Sequence, residues 1–379
     1  MKILLIGNYP EDRQESMQRY ADLLLDQLRA RDHAVTLLSP SVVLGRLARP
    51  GSWLHKWLAY IDKFLLFKLR LKHAARAADS IHTCDQSNAM YVAAIQHIPH
   101  LVTCHDILAI RSALGHFPEN PTSPSGNIFQ RLIVRGLRSA ASIACVSVKT
   151  RDDLERYLDL SGERLHVVPT SLHWPYAPAP PERVAEALAE VGIPAGTPYF
   201  LHVGADHWYK NRLAVLRIFA ALREQPPFAE ASLVMTGDVW PPAFRRFLEE
   251  HGIAADAHLV NHASNEQLQA LYTGAQALIF PSREEGFGWP ILEAQACGCP
   301  VAVPDRPPMN ATAGPSGILI DADDPTDAAA AIAQGLAARS DLQQAGMRNL
   351  ERFSPENMIG AYLHLYRTEI AKRGADGAG

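Results

Sequence analysis

Residues 280–300 read FPSREEGFGWPILEAQACGCP, and this stretch predicts a strand, a loop and a helix in succession. An apolar run ends at Phe280, two glycines lie in the loop, and Pro290 stands where a helix begins, a position that tolerates its missing N–H. Gly298 is placed to end that helix. Ligands of open α/β sheets bind beyond the carboxyl ends of the strands, where the N-terminus of a helix attracts anions. The stretch therefore predicts a phosphate site; a surface loop with solvated acids is the alternative.

The first half of the chain alternates short apolar runs with longer helical stretches. Its predicted strands are 2–6, 34–38, 80–84, 101–104, 142–147 and 165–168. The helix-like segments between them include 16–30, 88–96, 128–141 and 149–158. Continuous apolar strands joined by helices indicate a parallel sheet that is covered on both faces, so the predicted fold class is α/β.

A proline-rich segment over 173–181 interrupts this pattern, and we place a domain linker there. The pattern then restarts, with predicted strands at 199–203, 232–235, 258–260, 277–280, 301–303 and 317–320. Helices are predicted between them at 212–223, 265–272, 290–297 and 325–336. We predict an N-terminal domain over 1–173 and a C-terminal domain over 182–354. A C-terminal helix and tail over 355–379 is expected to pack back on the N-terminal domain.

Composition and charge restrict the classes of function. The chain has 379 residues, 47 % of them apolar, and a formal net charge of −4. This balance argues against a general nucleic-acid-binding protein, because phosphate binding needs a basic surface. A run of about 20 apolar residues is absent from the sequence, so we expect no membrane span. The five cysteines include no C-x-x-C pair and fit a reducing compartment, so we expect a cytoplasmic protein.

The 280–300 stretch resembles the signature of glycosyltransferase family 4, also called glycosyl transferases group 1. Members carry two glutamates separated by seven residues, with Gly-Phe-Gly between them and Glu-Ala-x-Ala-Cys-Gly-x-Pro-Val after them. Glu285 and Glu293 match these two positions. The resemblance implies the GT-B fold, in which two Rossmann-like, doubly wound parallel-sheet domains face each other across a cleft. It also implies transfer with retention of the anomeric configuration.

The resemblance assigns roles to residues across most of the chain. The segments Val203-Gly204 and Tyr209-Lys210-Asn211 resemble the family's Val-Gly…Arg-Lys-Asn, and Cys104-His105-Asp106 resembles its Val-His-Asp turn. The implied catalytic residues are His105, which faces the donor sugar, Glu285, which contacts the sugar hydroxyls, and Lys210, which neutralises the diphosphate leaving group. The implied donor-binding residues are Gly204, Arg212, Gly286, Phe287, Gly288, Ile291, Leu292 and Glu293, the last on the nucleotide ribose. A surface lysine and a hydrogen-bonded structural histidine are the alternatives for Lys210 and His105.

Three segments depart from the family pattern. Ala205 stands where many members have an arginine, so the second phosphate cation is unassigned and Arg212 is the candidate. The N-terminal loop 8–17 lacks the usual Gly-Gly pair, and side chains such as Gln14 or Ser16 are the candidates to substitute for it. The segment 169–171 lacks the usual Asn-Gly-Val-Asp. The acceptor site therefore stays open.

The segment Asp321-Ala322-Asp323 matches the D-x-D pattern that binds a metal in the other large transferase fold. It follows a predicted strand and precedes Asp324-Pro325, which is typical of a helix start, so we interpret it as a turn and a cap. We expect no metal and no cofactor besides the nucleotide-sugar substrate.

Residues 53–76 combine aromatic and basic side chains at helical spacing. Trp53, Trp57, Tyr60, Phe64, Phe67 and Leu71 recur on one face, while Arg49, Lys56, Lys63 and Arg70 recur every seven residues. Such a helix fits contact with an anionic membrane surface, with the protein peripheral on the inner face of the cytoplasmic membrane. A crossover helix with a broad buried face and a solvated basic edge explains the pattern equally well.

Together these features predict a retaining glycosyltransferase that moves a hexosyl group from a nucleotide-diphosphate sugar to a hydroxyl. The acceptor would be a saccharide or a lipid-linked molecule, in cell-surface polysaccharide or glycolipid assembly. A GT-B sugar-nucleotide epimerase and a non-catalytic GT-B partner protein are the alternatives. A nicotinamide-dependent dehydrogenase is disfavoured, because no G-x-G-x-x-G follows the first strand.

Overall fold

The computed structural model of the chain describes residues 1–376, except Arg13, Pro50 and Asp238. The chain divides into two units. The first comprises Met1–His173 together with the C-terminal segment from Pro355 onward, and the second comprises Trp174–Ser354.

The first unit contains a six-stranded parallel sheet with the order β2-β1-β3-β4-β5-β6. Its strands are β1 (Lys2–Ile6), β2 (Ala34–Leu38), β3 (Ser80–Thr83), β4 (His100–Cys104), β5 (Ser142–Cys145) and β6 (Leu165–Val167). The inner strands β3, β4 and β5 are buried along their whole length, as expected for a sheet that helices cover on both faces. Each of the six predicted strands of this half is confirmed, with ends that differ by at most two residues.

The helices of the first unit are α1 (Glu15–Arg29), α2 (Trp53–Ile61), α3 (Phe67–Ala75), α4 (Leu108–Ala113), α5 (Pro124–Ser139), α6 (Val148–Leu158) and α15 (Pro355–Asp376). Helix α6 covers the predicted segment 149–158 and is capped by Ser147, whose hydroxyl accepts the N–H of Thr150. Helix α15 packs on α1, β3 and β4. Its buried Tyr362 hydroxyl is hydrogen-bonded to the hydroxyls of Tyr20 and Thr103.

The second unit contains another six-stranded parallel sheet, with the order β12-β11-β10-β7-β8-β9. Its strands are β7 (Tyr199–His202), β8 (Ser232–Thr236), β9 (Ala257–Val260), β10 (Leu278–Ile279), β11 (Val301–Pro304) and β12 (Gly317–Ile320). Its helices are α7 (Pro181–Val191), α8 (Arg212–Arg223), α9 (Pro242–Glu250), α10 (Asn265–Gly274), α11 (Trp289–Ala296), α12 (Met309–Ala313), α13 (Pro325–Leu336) and α14 (Arg339–Asn349). The predicted helices 212–223 and 325–336 are confirmed at both ends.

The order of strands reverses direction once in each sheet. In the first unit β1 lies between β2 and β3, and in the second unit β7 lies between β8 and β10. At such a point the two connections leave the sheet on opposite faces, which opens a crevice beyond the carboxyl ends of the strands. The fold therefore contains two candidate ligand sites, one in each sheet.

The predicted helix over 88–96 is wrong in type. The structure has a 3₁₀ helix there, Gln86–Ala94, which begins at Asp85 with its carboxylate accepting the N–H of Ser87. Helix α5 packs directly on this segment, and a Cβ on Gly136 would lie 1.9 Å from the carbonyl oxygen of Ala89. Tight packing against a neighbouring helix decides the backbone here, and local propensity does not.

The segment 53–75 is helical, but a π-helical turn at Asp62–Leu66 interrupts it between α2 and α3. The carboxylate of Asp62 is buried and accepts the backbone N–H groups of residues 43–45 at 2.9–3.0 Å. Phe67 and Leu71 point into the core. The predicted apolar face is therefore divided: Phe67 and Leu71 are buried, whereas Trp53 and Trp57 are exposed.

Candidate functional site

The candidate site of the second unit lies where the strand order reverses, at the carboxyl ends of β7, β8 and β10. Gly204 follows β7, Gly237 follows β8 and Phe280 follows β10. The N–H of Gly204 donates to the Thr236 hydroxyl at 3.1 Å, which ties the first two strand ends together. The site predicted from the 280–300 stretch therefore sits on adjacent strands.

Two of the predicted catalytic residues meet in this site. Nζ of Lys210 lies 2.7 Å from Oε1 of Glu285, and the two side chains are only 13 % and 9 % exposed. The ammonium also lies 5.1 Å from the ring of Phe280. A Cβ on Gly204 would lie 3.4 Å from Cδ of Lys210, so this glycine borders the lysine stem. Lys210 is thus a largely buried cation, and the alternative of a surface lysine is wrong.

The backbone around Lys210 is fixed from both sides. Asn211, next in the chain, has a left-handed conformation with φ of 52°, and its side-chain amide donates to the carbonyl oxygen of Pro281 at 3.2 Å. The N–H of Arg283 donates to the carbonyl oxygen of Tyr209 at 2.8 Å. These two bonds join the loop after β7 to the loop after β10. Their effect is to hold the ammonium beside the glutamate loop.

The glycine loop leads into the N-terminus of α11. Gly288 has φ of +100°, a backbone conformation that other residues rarely adopt. Helix α11 begins at Trp289, one residue earlier than predicted, so Pro290 occupies its second position. The hydroxyl of Thr312 donates to the carbonyl oxygen of Phe287 at 2.9 Å and anchors the loop. The predicted end of the helix at Gly298 is confirmed by its φ of +71°.

Three predicted donor-binding residues lie within α11. Ile291 and Leu292 are fully buried, so they can offer a ligand backbone groups of the first helical turn but no side-chain surface. Glu293 is 5 % exposed, and its Oε2 accepts a hydrogen bond from the hydroxyl of Tyr272 at 2.9 Å. Burial, and then the negative charge of Glu293, raise the pKa of Tyr272 well above its usual value. Tyr272 therefore remains a donor to this carboxylate at ordinary pH, a contact that the sequence analysis missed.

The predicted second cation, Arg212, is the first residue of α8 and is buried. Its guanidinium lies 3.8 Å from the Asp206 carboxylate and 3.5 Å from the carbonyl oxygen of Thr236. The backbone of Gly237 passes close to it, since a Cβ there would lie 3.0 Å from its nitrogens. Arg212 thus stands at the end of β8, while Lys210 and Glu285 stand beside the loop after β10.

Two histidines lie close to Lys210 and are held neutral. Burial lowers the pKa of His202 to about 3, and its Nδ1 is 2.9 Å from the carbonyl oxygen of Ile279. Burial, and then the positive charge of Lys210, lower the pKa of His207, whose ring stacks on Tyr209. Both histidines therefore add no positive charge near pH 7.

In the first unit, His105 follows β4 and is 9 % exposed. Its Nε2 lies 2.9 Å from the carbonyl oxygen of Cys84, so this nitrogen carries the proton and donates it. Its backbone N–H donates to the side chain of Gln86 at 2.8 Å. In the neutral ring, Nδ1 is left as an acceptor. Asp106 accepts the N–H of Leu108 at 2.9 Å and so orients the loop.

The point in the first sheet where the strand order reverses is filled by polar side chains. The Asn8 amide donates to the carboxylate of Asp85 and to the side chain of Gln14, and it accepts from Asn88 at 2.9 Å. Asp85 also accepts from the hydroxyl and N–H of Ser87. Gln14, a predicted substitute for the missing glycines, therefore belongs to a hydrogen-bonded network.

The Asp321-Ala322-Asp323 segment forms a turn that leads into α13. The Asp321 carboxylate accepts the N–H of Asp323 at 2.9 Å, and Asp324 caps the helix by accepting the N–H groups of Thr326 and Asp327. The turn-and-cap interpretation of this segment is confirmed. Within the part of the chain that the structure describes, no cluster of three or more His, Cys, Asp or Glu side chains is arranged to hold a metal ion.

Both units match models of known protein families. Residues 184–350 match the model described as "Glycosyl transferases group 1", and residues 17–172 match "Glycosyltransferase Family 4". The first match contains Lys210, Glu285 and Glu293. The second contains His105 and the strands β2 to β6.

Individual relatives agree with these matches. The D-inositol 3-phosphate glycosyltransferase of Corynebacterium glutamicum is 25 % identical over 291 residues, which is 74 % of this chain and 69 % of that protein. The O-antigen chain mannosyltransferase B of Escherichia coli is 25 % identical over 321 residues, which is 82 % of each chain.

Solved structures show the same fold. Sucrose-phosphate synthase from Thermosynechococcus elongatus superposes with a TM-score of 0.72 at 20 % identity, over 98 % of this chain and 100 % of that one. The Anabaena protein HepE, solved with UDP and glucose, superposes with a TM-score of 0.72 at 15 % identity, over 97 % and 100 % of the two chains. The chain has the GT-B fold, belongs to the glycosyl transferases group 1 family, and is a glycosyltransferase.

Proposed function

We propose that this enzyme is a retaining hexosyltransferase that uses a nucleotide-diphosphate sugar as donor and a hydroxyl as acceptor. The observation that carries the proposal is the Lys210–Glu285 pair, placed between the glycine-bordered end of β7 and the N-terminus of α11. A buried cation, a helix N-terminus and a carboxylate are the groups that a diphosphate linked to a sugar requires.

In the proposed step, the bond between the anomeric carbon and the diphosphate oxygen breaks, and its electron pair remains on the diphosphate. The acceptor oxygen bonds to the anomeric carbon from the same face, and the acceptor proton passes to the departing phosphate oxygen. Lys210 and the N–H groups at the start of α11 stabilise the charge that develops on the diphosphate. Glu285 accepts hydrogen bonds from the sugar hydroxyls, which requires its carboxylate to exchange part of its contact with Lys210 for the sugar.

The remaining predicted residues complete the donor site in this proposal. Glu293, with Tyr272 on its other side, holds the hydroxyls of the nucleotide ribose. Arg212 supplies the second cation, and the backbone of residues 286–288 contacts the sugar and phosphates. His105 acts on the donor sugar through Nδ1, the nitrogen that its contact with Cys84 leaves as an acceptor. Positive charge comes from protein groups, so we propose that neither a metal nor another cofactor is needed.

The setting of the reaction is proposed from the relatives. One is named for transfer to an inositol phosphate and the other for O-antigen chain synthesis, so a saccharide or a lipid-linked acceptor in cell-surface polysaccharide or glycolipid assembly fits this chain.

We propose that the enzyme is cytoplasmic and peripheral on the membrane, and the helical segment 53–75 supports the membrane contact. Trp53, Trp57, Ile61, Leu65 and Leu69 are between 38 % and 75 % exposed and recur every four residues along the segment. Lys68, Arg70 and Lys72 add positive charge to the same segment. Exposed aromatic and aliphatic side chains that share a helical segment with cations suit the interface of an anionic bilayer. None of the described helices combines the length and apolar character that crossing a membrane requires.

A donor panel tests the main proposal. UDP-, GDP- and ADP-sugars are offered to the wild-type enzyme, and binding is followed by thermal shift and donor hydrolysis, neither of which needs an acceptor. We expect one nucleotide class to stabilise the protein and to be hydrolysed slowly, in the presence or absence of EDTA. The anomeric configuration of the released sugar at early times, read by proton NMR, tests retention. A panel in which no nucleotide sugar binds at millimolar concentration would refute the proposal.

Flotation with anionic liposomes tests the membrane contact. The side chain of Lys56 lies outside the described part of the chain, and Lys63 is bound to Asp12 at 2.6–2.7 Å, so reversing these charges is a poor test. Trp57→Asp with Leu69→Asp changes two residues that are 61 % exposed. We expect this variant to lose flotation, while the control Val148→Asp with Met347→Asp keeps it. Equal flotation of both variants would refute the proposed membrane contact.

A further inference from the structure

The first unit contains a surface pocket that the proposed transfer reaction does not use. It has a volume of about 560 Å³ and is formed by α4, α5 and α6. Its lining combines apolar residues with polar ones: Ile110, Ala113, Leu114, Val134, Tyr157 and Leu158, and then Asn127, Gln130, Arg131, Arg135, Arg138 and Ser139. A pocket of this size holds a small molecule or a lipid headgroup.

The charged residues in the described wall of the pocket are all arginines. Arg131, Arg135 and Arg138 recur along one face of α5, and all three are exposed. None of the described lining residues is acidic. Arg138 donates to the carbonyl oxygen of Leu158 at 3.4 Å, whereas Arg131 and Arg135 form no ion pair with any residue in the described ranges. Two guanidinium groups are thus available to a ligand.

Two other pockets of the molecule show the contrast. One, lined by Arg183, has Glu186, Glu190 and Glu266 in its wall, and the Arg183 guanidinium is paired with Glu186 at 2.6 Å. Another has Glu230 and Asp256 in its wall. Arg183 is the only Arg or Lys in the described walls of these two pockets, and it is already paired, so neither pocket offers unpaired arginines as the α5 pocket does.

One end of the pocket lies away from His105 of the candidate transfer site. Arg138 and Ser139 lie at the end of α5 that leads into the start of β5, and Leu158 ends α6 before β6 begins. This is the edge of the sheet where strands start. His105 follows the carboxyl end of β4, at the opposite edge.

An exposed apolar strip borders the arginines on α5. Ile128 is 62 % exposed and Leu132 is 39 % exposed, and helical spacing places them beside Arg131 and Arg135. Helix α5 also contacts the helical segment 53–75. The ring of Phe129 on α5 lies 6.2 Å from the ring of Phe64 in that segment. A cationic pocket beside an apolar strip fits an amphiphilic ligand with a phosphate in its headgroup.

We propose that the α5 pocket is a binding site for a phosphate group, distinct from the donor site. Guanidinium groups bind phosphate oxygens through paired hydrogen bonds, and the two available ones, Arg131 and Arg135, lie one turn apart on the same helix, which suits a phosphate mono- or diester. The headgroup of an anionic phospholipid and a soluble phosphate ester share this chemistry. The apolar strip and the adjoining helical segment favour the lipid.

The test uses the full-length enzyme and a double charge reversal, Arg131→Glu with Arg135→Glu. The matched control is Arg217→Glu with Arg246→Glu, which makes the same charge change on exposed positions of α8 and α9 in the second unit. Two probes are used: phosphatidylcholine vesicles with or without phosphatidylglycerol, and glycerol 3-phosphate measured by calorimetry. Retained donor hydrolysis and melting temperature show that both variants fold. Lys210→Met separates phosphate binding at the donor site from binding at the pocket.

We expect the α5 variant to bind phosphatidylglycerol vesicles roughly tenfold or more weakly, with the control close to wild type. That result identifies a lipid headgroup. Loss of glycerol 3-phosphate binding in the α5 variant, but not in Lys210→Met, with vesicle binding unchanged, identifies a soluble ester instead. The proposal is overturned if the α5 variant and the control behave alike with both probes, or if the wild type binds neither.

Discussion

The two sheets carry different chemistry at equivalent places. In the first unit the point where strand order reverses, beside β1 and β3, is occupied by a network of Asn8, Gln14, Asp85 and Asn88. In the second unit the corresponding point, beside β7 and β10, is bordered by Gly204 and by the Lys210–Glu285 pair.

The strand orders differ as well. Numbered along each unit, the first sheet runs 2-1-3-4-5-6 and the second runs 3-2-1-4-5-6. Both orders occur in doubly wound folds that bind nucleotides, and the second is the one typical of dinucleotide binding. A shared architecture therefore says where a ligand can bind, and the side chains decide which ligand. Glycine and an almost buried cation favour a diphosphate, whereas amides and a carboxylate are suited to hydroxyl groups.

The largest effect that we expect is on catalysis, in the second unit. Lys210→Met or Glu285→Gln is predicted to lower the rate of donor hydrolysis and transfer by about 10²- to 10³-fold, because each removes a group that stabilises the transition state. Steady-state rates at saturating donor measure it. The control is Arg183→Met with Glu186→Gln, an ion pair of the same unit that is more than half exposed and should be silent. Turnover near the wild-type level in either single variant would contradict the assigned roles.

A smaller effect is expected from the network of the first unit, and it falls on stability. Asn8→Ala removes the amide that bridges Asp85, Gln14 and Asn88, and we predict a loss of about 1–3 kcal/mol of unfolding free energy. Urea denaturation measures it, with the exposed Asn261→Ala as control. Binding of the donor should not change. A weaker donor affinity in Asn8→Ala, at unchanged stability, would contradict a purely structural role for the network of the first unit.

The smallest effect is a pH dependence that both units share. Each has one histidine, His82 or His202, whose pKa is lowered to about 3, chiefly by burial. Between about pH 6.5 and pH 3 each of these histidines is protonated in the unfolded chain but neutral in the folded state. The contribution of the neutral histidine to the unfolding free energy is therefore fully present above pH 6.5 and is lost as pH falls toward 3. Each histidine contributes a slope of up to about 1.4 kcal/mol per pH unit.

Calorimetric melting of His82→Gln and His202→Gln between pH 7 and 5 separates the two contributions. Each substitution should flatten the pH dependence of the unit in which it lies. If neither flattens it, the acid sensitivity has another origin.

Much of the fold could be predicted because apolar runs with clear ends determine the strands. The sequence places β1 and β2 correctly at both ends, and it places α8 and α13 correctly as well. Glycines at 288 and 298 mark the limits of α11 because the backbone there needs a positive φ. These features are local, so local sequence is enough to find them.

The features that the sequence did not predict depend on contacts between residues far apart in the chain. Lys210 and Glu285 are 75 positions apart, and neither local segment predicts that the two side chains form an ion pair. The π-helical turn at Asp62 exists because its carboxylate binds N–H groups of residues 43–45. Tyr272 was missed for the same reason, since its partner Glu293 lies 21 positions away.

Hydrogen–deuterium exchange with a nucleoside diphosphate tests the central claim most directly. UDP, GDP and ADP are added in turn to the full-length enzyme at millimolar concentration. For the diphosphate that binds, we predict slower exchange in residues 204–212 and 285–293 and unchanged exchange in residues 8–17. Protection of the N-terminal loop without protection of 285–293 would contradict the account.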